Sequence, residues 1–200
     1  MSVALSKPSA KEPETLIDFE VSQLLNLAHK GNYRNFIMIH LALATGLRND
    51  ELINITVELV KCFEIVPTIL TLPGTIAKGG SPREIPLTPD IRNHLENFLA
   101  WKLNFKEDTS PGAYLFVSQH AHKKLNPRDF QRIVSSVSQK SIGRSIHPHV
   151  LRHTFATRLL RVSNLEIVRK VLGHKNISTT QVYLHPSTDE ISQAVNKIVN

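Results

Sequence analysis

The chain has 200 residues, 41% of them hydrophobic, which suits one domain with a buried core. Its single cysteine, Cys62, excludes an internal disulfide, and its longest apolar run, residues 36–43, is too short to span a membrane. The N-terminus lacks the basic and apolar regions of a secretory signal. We therefore expect a cytoplasmic protein with Cys62 in its core.

The formal charge of +7 is unevenly distributed. Residues 120–175 hold twelve Lys or Arg against two acids, a net +10, which leaves −3 for the rest of the chain. A basic segment on a mildly acidic remainder is typical of proteins that bind polyanions. A solvated basic face would produce the same excess, so charge alone leaves both interpretations open.

Helical patterns dominate the first third of the chain. Residues 1–14 are mostly small or polar and predict a disordered tail or a linker remnant. Apolar spacing predicts an amphipathic helix over 18–30, and the nearly all-apolar run 32–45 predicts a buried helix that ends at Gly46. A short helical turn is expected over 51–55.

The pattern changes over residues 62–87, where Val, Ile, Thr and Pro dominate and a Gly-Gly pair interrupts the run. This predicts a small antiparallel sheet with a hairpin turn at or near the segment GGSP. Helical spacing returns over 89–104 and again over 127–139.

Three further helices are predicted in the C-terminal part. The first covers 149–161, and its apolar stripe would comprise Leu151, Phe155, Leu159 and Val162. Ser163 and Glu166 match a capping box for a second helix, which would end at Gly173. A last amphipathic helix is predicted over 187–200. The expected fold class is mainly α with a small antiparallel β-sheet (α+β), with residues 15–186 as one domain.

The most distinctive residues are two imidazoles, a guanidinium and a phenol in the basic segment and just beyond it: His149, Arg152, His174 and Tyr183. Arg48 supplies a second guanidinium far upstream. A phenol can attack a phosphodiester if it loses its proton, if cations stabilise the phosphoryl oxygens, and if the leaving oxygen is protonated. Arginine suits the cationic role because it stays charged and binds two oxygens at once. The set indicates DNA cleavage through a covalent phosphotyrosine.

These segments resemble the tyrosine recombinases, also called phage integrases. The matches cover roughly residues 16–186 in the family's order: ATGLRNDEL, IAKGGSPREIPL, HPHVLRHTFATRLL, VLGH and TTQVYLH. Each match alone is weak, whereas the set is specific. The resemblance implies the integrase catalytic-core fold and a site-specific recombinase that breaks and rejoins DNA without a metal.

The resemblance also implies a role for each matching residue that binds or attacks the phosphate. Tyr183 would be the nucleophile that makes a 3′-phosphotyrosyl bond and releases a 5′-hydroxyl. Arg48 and Arg152 would bind the non-bridging oxygens, and His174 would hydrogen-bond the phosphate.

The remaining roles concern protons and support. Lys78, beside the flexible Gly-Gly pair, would be the general acid for the leaving oxygen, with Arg83 on the opposing strand as its competitor. His149 would accept the tyrosine proton. Glu51, three residues after Arg48, would be a carboxylate that orients its neighbours.

Plainer interpretations exist for some of these residues. Tyr183 could be an ordinary half-buried tyrosine, and Arg48 could form a surface ion pair. His149 and His153 have the i,i+4 spacing that can hold zinc, but Arg152 lies between them and no glutamate follows His149. We therefore expect no metal and no cofactor. Six more histidines belong to no recognisable cluster of site residues: His29, His40, His94, His120, His122 and His185.

The resemblance implies double-stranded DNA as the partner, association with the nucleoid when bound, and no membrane. It also implies a homo-tetramer in a synaptic complex and a monomer or weak oligomer when free, with the helix at 187–200 docking on a neighbouring protomer. Family members usually carry a DNA-clamping domain before the catalytic one, and here about fifteen residues precede the first helix. Two alternatives are a type IB topoisomerase-like nicking-closing enzyme and a non-catalytic DNA-binding regulator on the same scaffold.

Overall fold

A computed structural model describes residues 14–63, 65–118 and 123–173. The helices in those ranges are α1 (Asp18–Gly31), α2 (Tyr33–Thr45), α3 (Asn49–Ile53), α4 (Val57–Val60), α5 (Pro89–Asn104), α6 (Pro127–Ile142), α7 (Pro148–Val162) and α8 (Leu165–Leu172). The strands are β1 (Ile69–Leu72) and β2 (Arg83–Pro86). The predicted helix over 187–200 lies outside the described residues. Among the described helices, none has the length and apolar character that crossing a bilayer requires.

Helix α2 is the centre of the fold, as its nearly all-apolar sequence predicts. It packs against α1, α5 and α7, and most of its side chains are buried. Asn32 caps its start, where the side-chain oxygen accepts a hydrogen bond from the backbone N–H of Asn35 at 3.1 Å. Gly46 ends it in the left-handed region with φ +63. A Cβ at Gly46 would overlap the ring of Phe155, so this glycine also permits the close approach of α7.

The predicted antiparallel sheet is present, but it is smaller than the pattern suggested. Leu70 pairs with Ile85 and Leu72 with Arg83, and these four residues share the buried face. Residues 73–82 connect the strands, so the turn is much longer than a tight hairpin at GGSP.

The prediction that Cys62 lies in the core is wrong, because Cys62 is exposed. It forms a small reversal in which Cys62 and Ile65 exchange two backbone hydrogen bonds of 2.8 and 3.0 Å. Phe63, inside this reversal, has φ +47 and is also exposed. Phe63 and Ile65 are exposed while Val60 and Val66 are buried, so the residues next to Cys62 form an irregular surface segment rather than a strand.

Two details of the C-terminal helices differ from the sequence prediction. Val162 is 82% exposed, so it is not part of the apolar stripe of α7. The cap of α8 is Asn164 rather than Ser163, since the Asn164 side chain accepts from the N–H of Ile167 at 3.0 Å. Ser163 instead donates its hydroxyl to the carbonyl of Leu159 at 2.6 Å. The predicted end of α8 at Gly173 is confirmed, with φ +65.

The helical turn predicted over 51–55 is α3, which begins two residues earlier. The Glu51 side chain accepts from the backbone N–H of Arg48, and this contact starts the helix at Asn49. Arg48 lies between Gly46, which ends α2, and the start of α3. Glu51 in α3 links this segment to the connection between the two strands.

Candidate active site

Arg48 is held at the start of α3 by the carboxylate of Glu51. Its backbone N–H donates to Glu51 Oε2 at 2.8 Å, and its Nη1 donates to Glu51 Oε1 at 2.9 Å. The Arg48 side chain is 18% exposed, so it is fixed on one side and reaches solvent on the other. The ion pair that the plainer interpretation foresaw is therefore real, but it involves a fully buried carboxylate rather than a surface one.

Glu51 is the centre of a buried network. Besides Arg48, it accepts hydrogen bonds from Arg83 Nη1 at 2.8 Å, from Arg83 Nη2 at 2.6 Å and from the backbone N–H of Lys78 at 3.3 Å. Burial by itself raises the pKa of this carboxyl, but the hydrogen bonds and charges of Arg83 and Arg48 outweigh burial and lower the pKa to about 2. Glu51 is thus ionised at neutral pH and ties α3 to the hairpin.

Lys78 lies in the connection between β1 and β2, as predicted, and its side chain is exposed. The backbone of Lys78 is anchored to Glu51, while Gly79 and Gly80 follow with φ of +93 and +75. Arg83, the competitor for the general-acid role, is buried in its ion pair with Glu51. Lys78 is therefore the better placed of the two to reach a substrate.

Arg152 is buried on α7 and joins the ends of two other helices. Its Nη1 donates to the carbonyl of Gly46 at 2.5 Å, and its Nη2 donates to the carbonyl of Leu172 at 2.9 Å. Those carbonyls belong to the residue that ends α2 and to the last residue of α8. The guanidinium is thereby fixed close to the chain that leads to Arg48.

His149 precedes Arg152 by three residues and is exposed. Partial burial of its ring lowers its pKa first, and the positive charges of Arg152, Lys78, His147 and Arg48 lower it further. Cations from the three separate motifs therefore all contribute to lowering the pKa of the same imidazole. A lowered pKa keeps His149 neutral at pH 7, which is the state that can accept a proton.

Two of the predicted residues, His174 and Tyr183, lie outside the described residues. His174 follows Gly173 directly in the sequence, and the carbonyl of Leu172 is already a partner of Arg152. Their roles stay predictions.

Comparison with known proteins identifies this arrangement. The sequence model of the phage integrase family matches residues 14–190. The chain belongs to the phage integrase family. This confirms the resemblance to the tyrosine recombinases and the predicted fold class.

Relatives extend the match over most of the chain. A tyrosine recombinase of Pseudothermotoga lettingae is 38% identical over 189 residues, covering 94% of this chain and 61% of the relative. The crystal structure of XerA recombinase has a TM-score of 0.75 at 27% identity, covering 94% of this chain and 66% of XerA. XerH recombinase, solved with its difH substrate after cleavage, has a TM-score of 0.74 at 23% identity, covering 97% and 56%, and supports the fold alone. The chain thus spans about three fifths of the curated relative's length.

Arg83 is the residue of this integrase-family site that sequence reasoning misjudged. Along β2, positions 83 and 85 share one face, and Ile85 on that face is a core residue. An arginine at an inward position needs a buried carboxylate, and Glu51 supplies it. The alternation could have revealed that Arg83 positions Glu51 rather than competes with Lys78.

Proposed function

We propose that this chain is the catalytic part of a site-specific DNA recombinase that cleaves and rejoins strands through a covalent 3′-phosphotyrosine. The observation that carries the proposal is that contacts between distant motifs bring the three cations together. Glu51 accepts hydrogen bonds from the Arg48 guanidinium and from the backbone N–H of Lys78. Arg152 donates to the carbonyl of Gly46, two residues before Arg48. Such a cluster suits a phosphodiester, since the charge that develops in the transition state is spread over phosphoryl oxygens. The relative from Pseudothermotoga lettingae, a tyrosine recombinase 38% identical to this chain, supports the same chemistry.

The proposed reaction begins with attack of the Tyr183 hydroxyl oxygen on the phosphorus. The phenol proton passes to His149, whose neutral state follows from its lowered pKa. A bond forms between the phenol oxygen and phosphorus, and the bond from phosphorus to the 5′-oxygen breaks. Lys78 gives a proton to that oxygen, which leaves as a 5′-hydroxyl. Attack by a 5′-hydroxyl on the phosphotyrosine reverses these steps and rejoins the strand.

The two arginines have separate supports in this scheme. The carboxylate of Glu51 accepts a hydrogen bond from the Arg48 guanidinium, and two backbone carbonyls fix the orientation of Arg152. Arg83 balances the charge of Glu51, so the carboxylate can orient Arg48 without cancelling the positive potential that attracts a phosphate. Pre-positioned donors of this kind cost no reorganisation during the reaction.

Synapsis is a further part of the proposal. A recombinase must bring two duplexes together, and we infer a homo-tetramer on DNA in which the segment 187–200 docks on a neighbouring protomer. The family membership and the amphipathic pattern of that segment support this assembly.

Lys78→Ala should lower strand cleavage by about 10²–10⁴-fold, because it removes the proton donor for the leaving oxygen. A DNA substrate with sulfur in place of the 5′-bridging oxygen should restore most of the rate, since a thiolate leaves without a proton. The measurement is single-turnover cleavage of both substrates by both proteins.

Arg48→Ala is the matched comparison for this test. Its defect lies in phosphate binding, so the sulfur substrate should not rescue it. Equal rescue of both variants, or no rescue of Lys78→Ala, would reject Lys78 as the general acid.

A further inference from the structure

A second group of polar side chains lies where α2 packs against α5. His40 Nε2 is 3.2 Å from Asp90 Oδ2, and His94 Nε2 is 3.7 Å from Asp90 Oδ1. One possible ligand atom from each of the three residues lies within 4.8 Å of the others. The sequence alone did not reveal a cluster around His40 or His94, because His40 is fifty residues away from Asp90 in the chain.

The helices explain why the three side chains meet. Asp90 and His94 are four residues apart near the start of α5 and therefore lie on one face of that helix. His40 faces them from α2, and its ring lies 5.2 Å from that of His94. The ring of Phe36 contacts both imidazoles, at 5.4 and 5.0 Å, and holds them in place.

Burial determines which atoms the group presents. The side chains of His40 and His94 are 15% and 24% exposed, whereas Asp90 is 67% exposed. The Nδ1 atoms of both rings are buried without a hydrogen-bond partner in the described part of the chain. Each imidazole therefore offers Nε2, and the carboxylate side of the group is open to solvent.

These distances fit a metal ion. In a tetrahedral zinc site with bonds of about 2.0–2.2 Å, neighbouring ligand atoms lie about 3.3 Å apart. The separations from Asp90 are within about half an ångström of that value, and each imidazole faces a different oxygen of the carboxylate, His40 facing Oδ2 and His94 facing Oδ1. Two imidazoles and one carboxylate, with an open fourth position, are a donor set that Zn²⁺ accepts.

We propose that His40, Asp90 and His94 form a site for a divalent transition metal of the zinc class, with water as the remaining ligand. The metal ties α5 to α2. His40 lies six residues before Gly46, about 9 Å along the helix axis, so the bound metal steadies the helix that leads to Arg48. The site is separate from strand cleavage, whose cations are arginine and lysine.

The test is a titration of the chelator-treated chain with ZnCl2, followed by calorimetry, and with CoCl2, followed by visible absorption. We expect a site with one metal per chain, a Co²⁺ spectrum of four-coordinate intensity, and a thermal midpoint that rises with ZnCl2 and falls back with chelator. Asp90→Asn and His94→Gln should each weaken zinc binding at this site at least tenfold. Asp90 is largely exposed, so Asp90→Asn should leave the fold intact.

His29→Gln is the matched control. The ring of His29 packs against Phe36 at 4.7 Å, in the same aromatic group, but it is not one of the three ligands. Zinc affinity should be unchanged in this variant. The proposal is overturned if the wild type binds no zinc, or if binding survives in Asp90→Asn and His94→Gln with the wild-type affinity. In the first case the group is a pair of imidazole–carboxylate ion-pair contacts.

Discussion

Arg152→Ala is expected to lower the rate of strand cleavage by about 10²–10³-fold, the usual effect of removing one donor that stabilises developing charge. The variant loses a fixed guanidinium that contacts Gly46 and Leu172. We expect the loss in the chemical step rather than in DNA affinity alone. The measurement is single-turnover cleavage, at saturating DNA, of a nicked suicide duplex that the wild-type protein cleaves.

Two companion variants separate the chemical role of Arg152 from its structural role. Arg152→Ala also leaves two backbone carbonyls without this donor, which costs about 1–3 kcal/mol for each buried group, so unfolding must be measured in parallel. Arg152→Lys keeps the charge but not the two-pronged geometry, and should remain impaired. Arg161→Ala makes the same change on an exposed position of α7 and should cleave normally. A fully folded Arg152→Ala protein with a normal rate would contradict the proposed role.

Glu51→Gln is expected to destabilise the fold by about 3–5 kcal/mol, the usual cost of breaking a buried ion pair. The change leaves Arg83 buried without its counter-charge and removes the acceptor that holds Arg48. Urea unfolding at pH 7 measures the free energy. Glu84→Gln, on the exposed face of the same strand as Arg83, is the control and should have little effect.

The effect of Glu51 on stability has a defined pH dependence. Its pKa falls from 4.5 to about 2 on folding, so the ionised carboxylate stabilises the protein fully above about pH 4.5. This stabilisation, about 3 kcal/mol from the shift, is lost as pH falls through 2. The stability difference between wild type and Glu51→Gln should therefore shrink between pH 4.5 and 2. A difference that stayed constant over this range would show that the charge of Glu51 does not stabilise the fold.

Local signals in the sequence predicted most of the helices because those signals are complete within a few residues. Helix α5 was predicted from its apolar spacing with the bounds that the structure has, and the structure shows Thr88 as its cap and Pro89 in its first position. Gly46 and Gly173 ended their helices as predicted because each has the positive φ that glycine favours.

Features that depend on distant residues were harder to predict. The environment of Arg83 depends on Glu51, thirty-two residues earlier, and no local sequence pattern indicates that the two residues form an ion pair. The exposure of Cys62 depends on a backbone reversal, although most residues of its segment, LVKCFEIV, are apolar. That Arg48, Lys78, His149 and Arg152 act together is a prediction from the family resemblance, which carries long-range information that periodicity lacks.

The most direct test of the proposed mechanism is the identity of the residue that becomes bonded to DNA. Wild type and Tyr183→Phe are incubated with a nicked suicide duplex, and denaturant-resistant adducts are mapped by peptide mass. Tyr114→Phe is the control, since Tyr114 is partly exposed and has the cation of Lys124 over its ring. We predict a 3′-phosphate bonded to Tyr183 in the wild type and in Tyr114→Phe, and no adduct in Tyr183→Phe. An adduct formed by Tyr183→Phe, or a wild-type adduct on another residue, would contradict the mechanism.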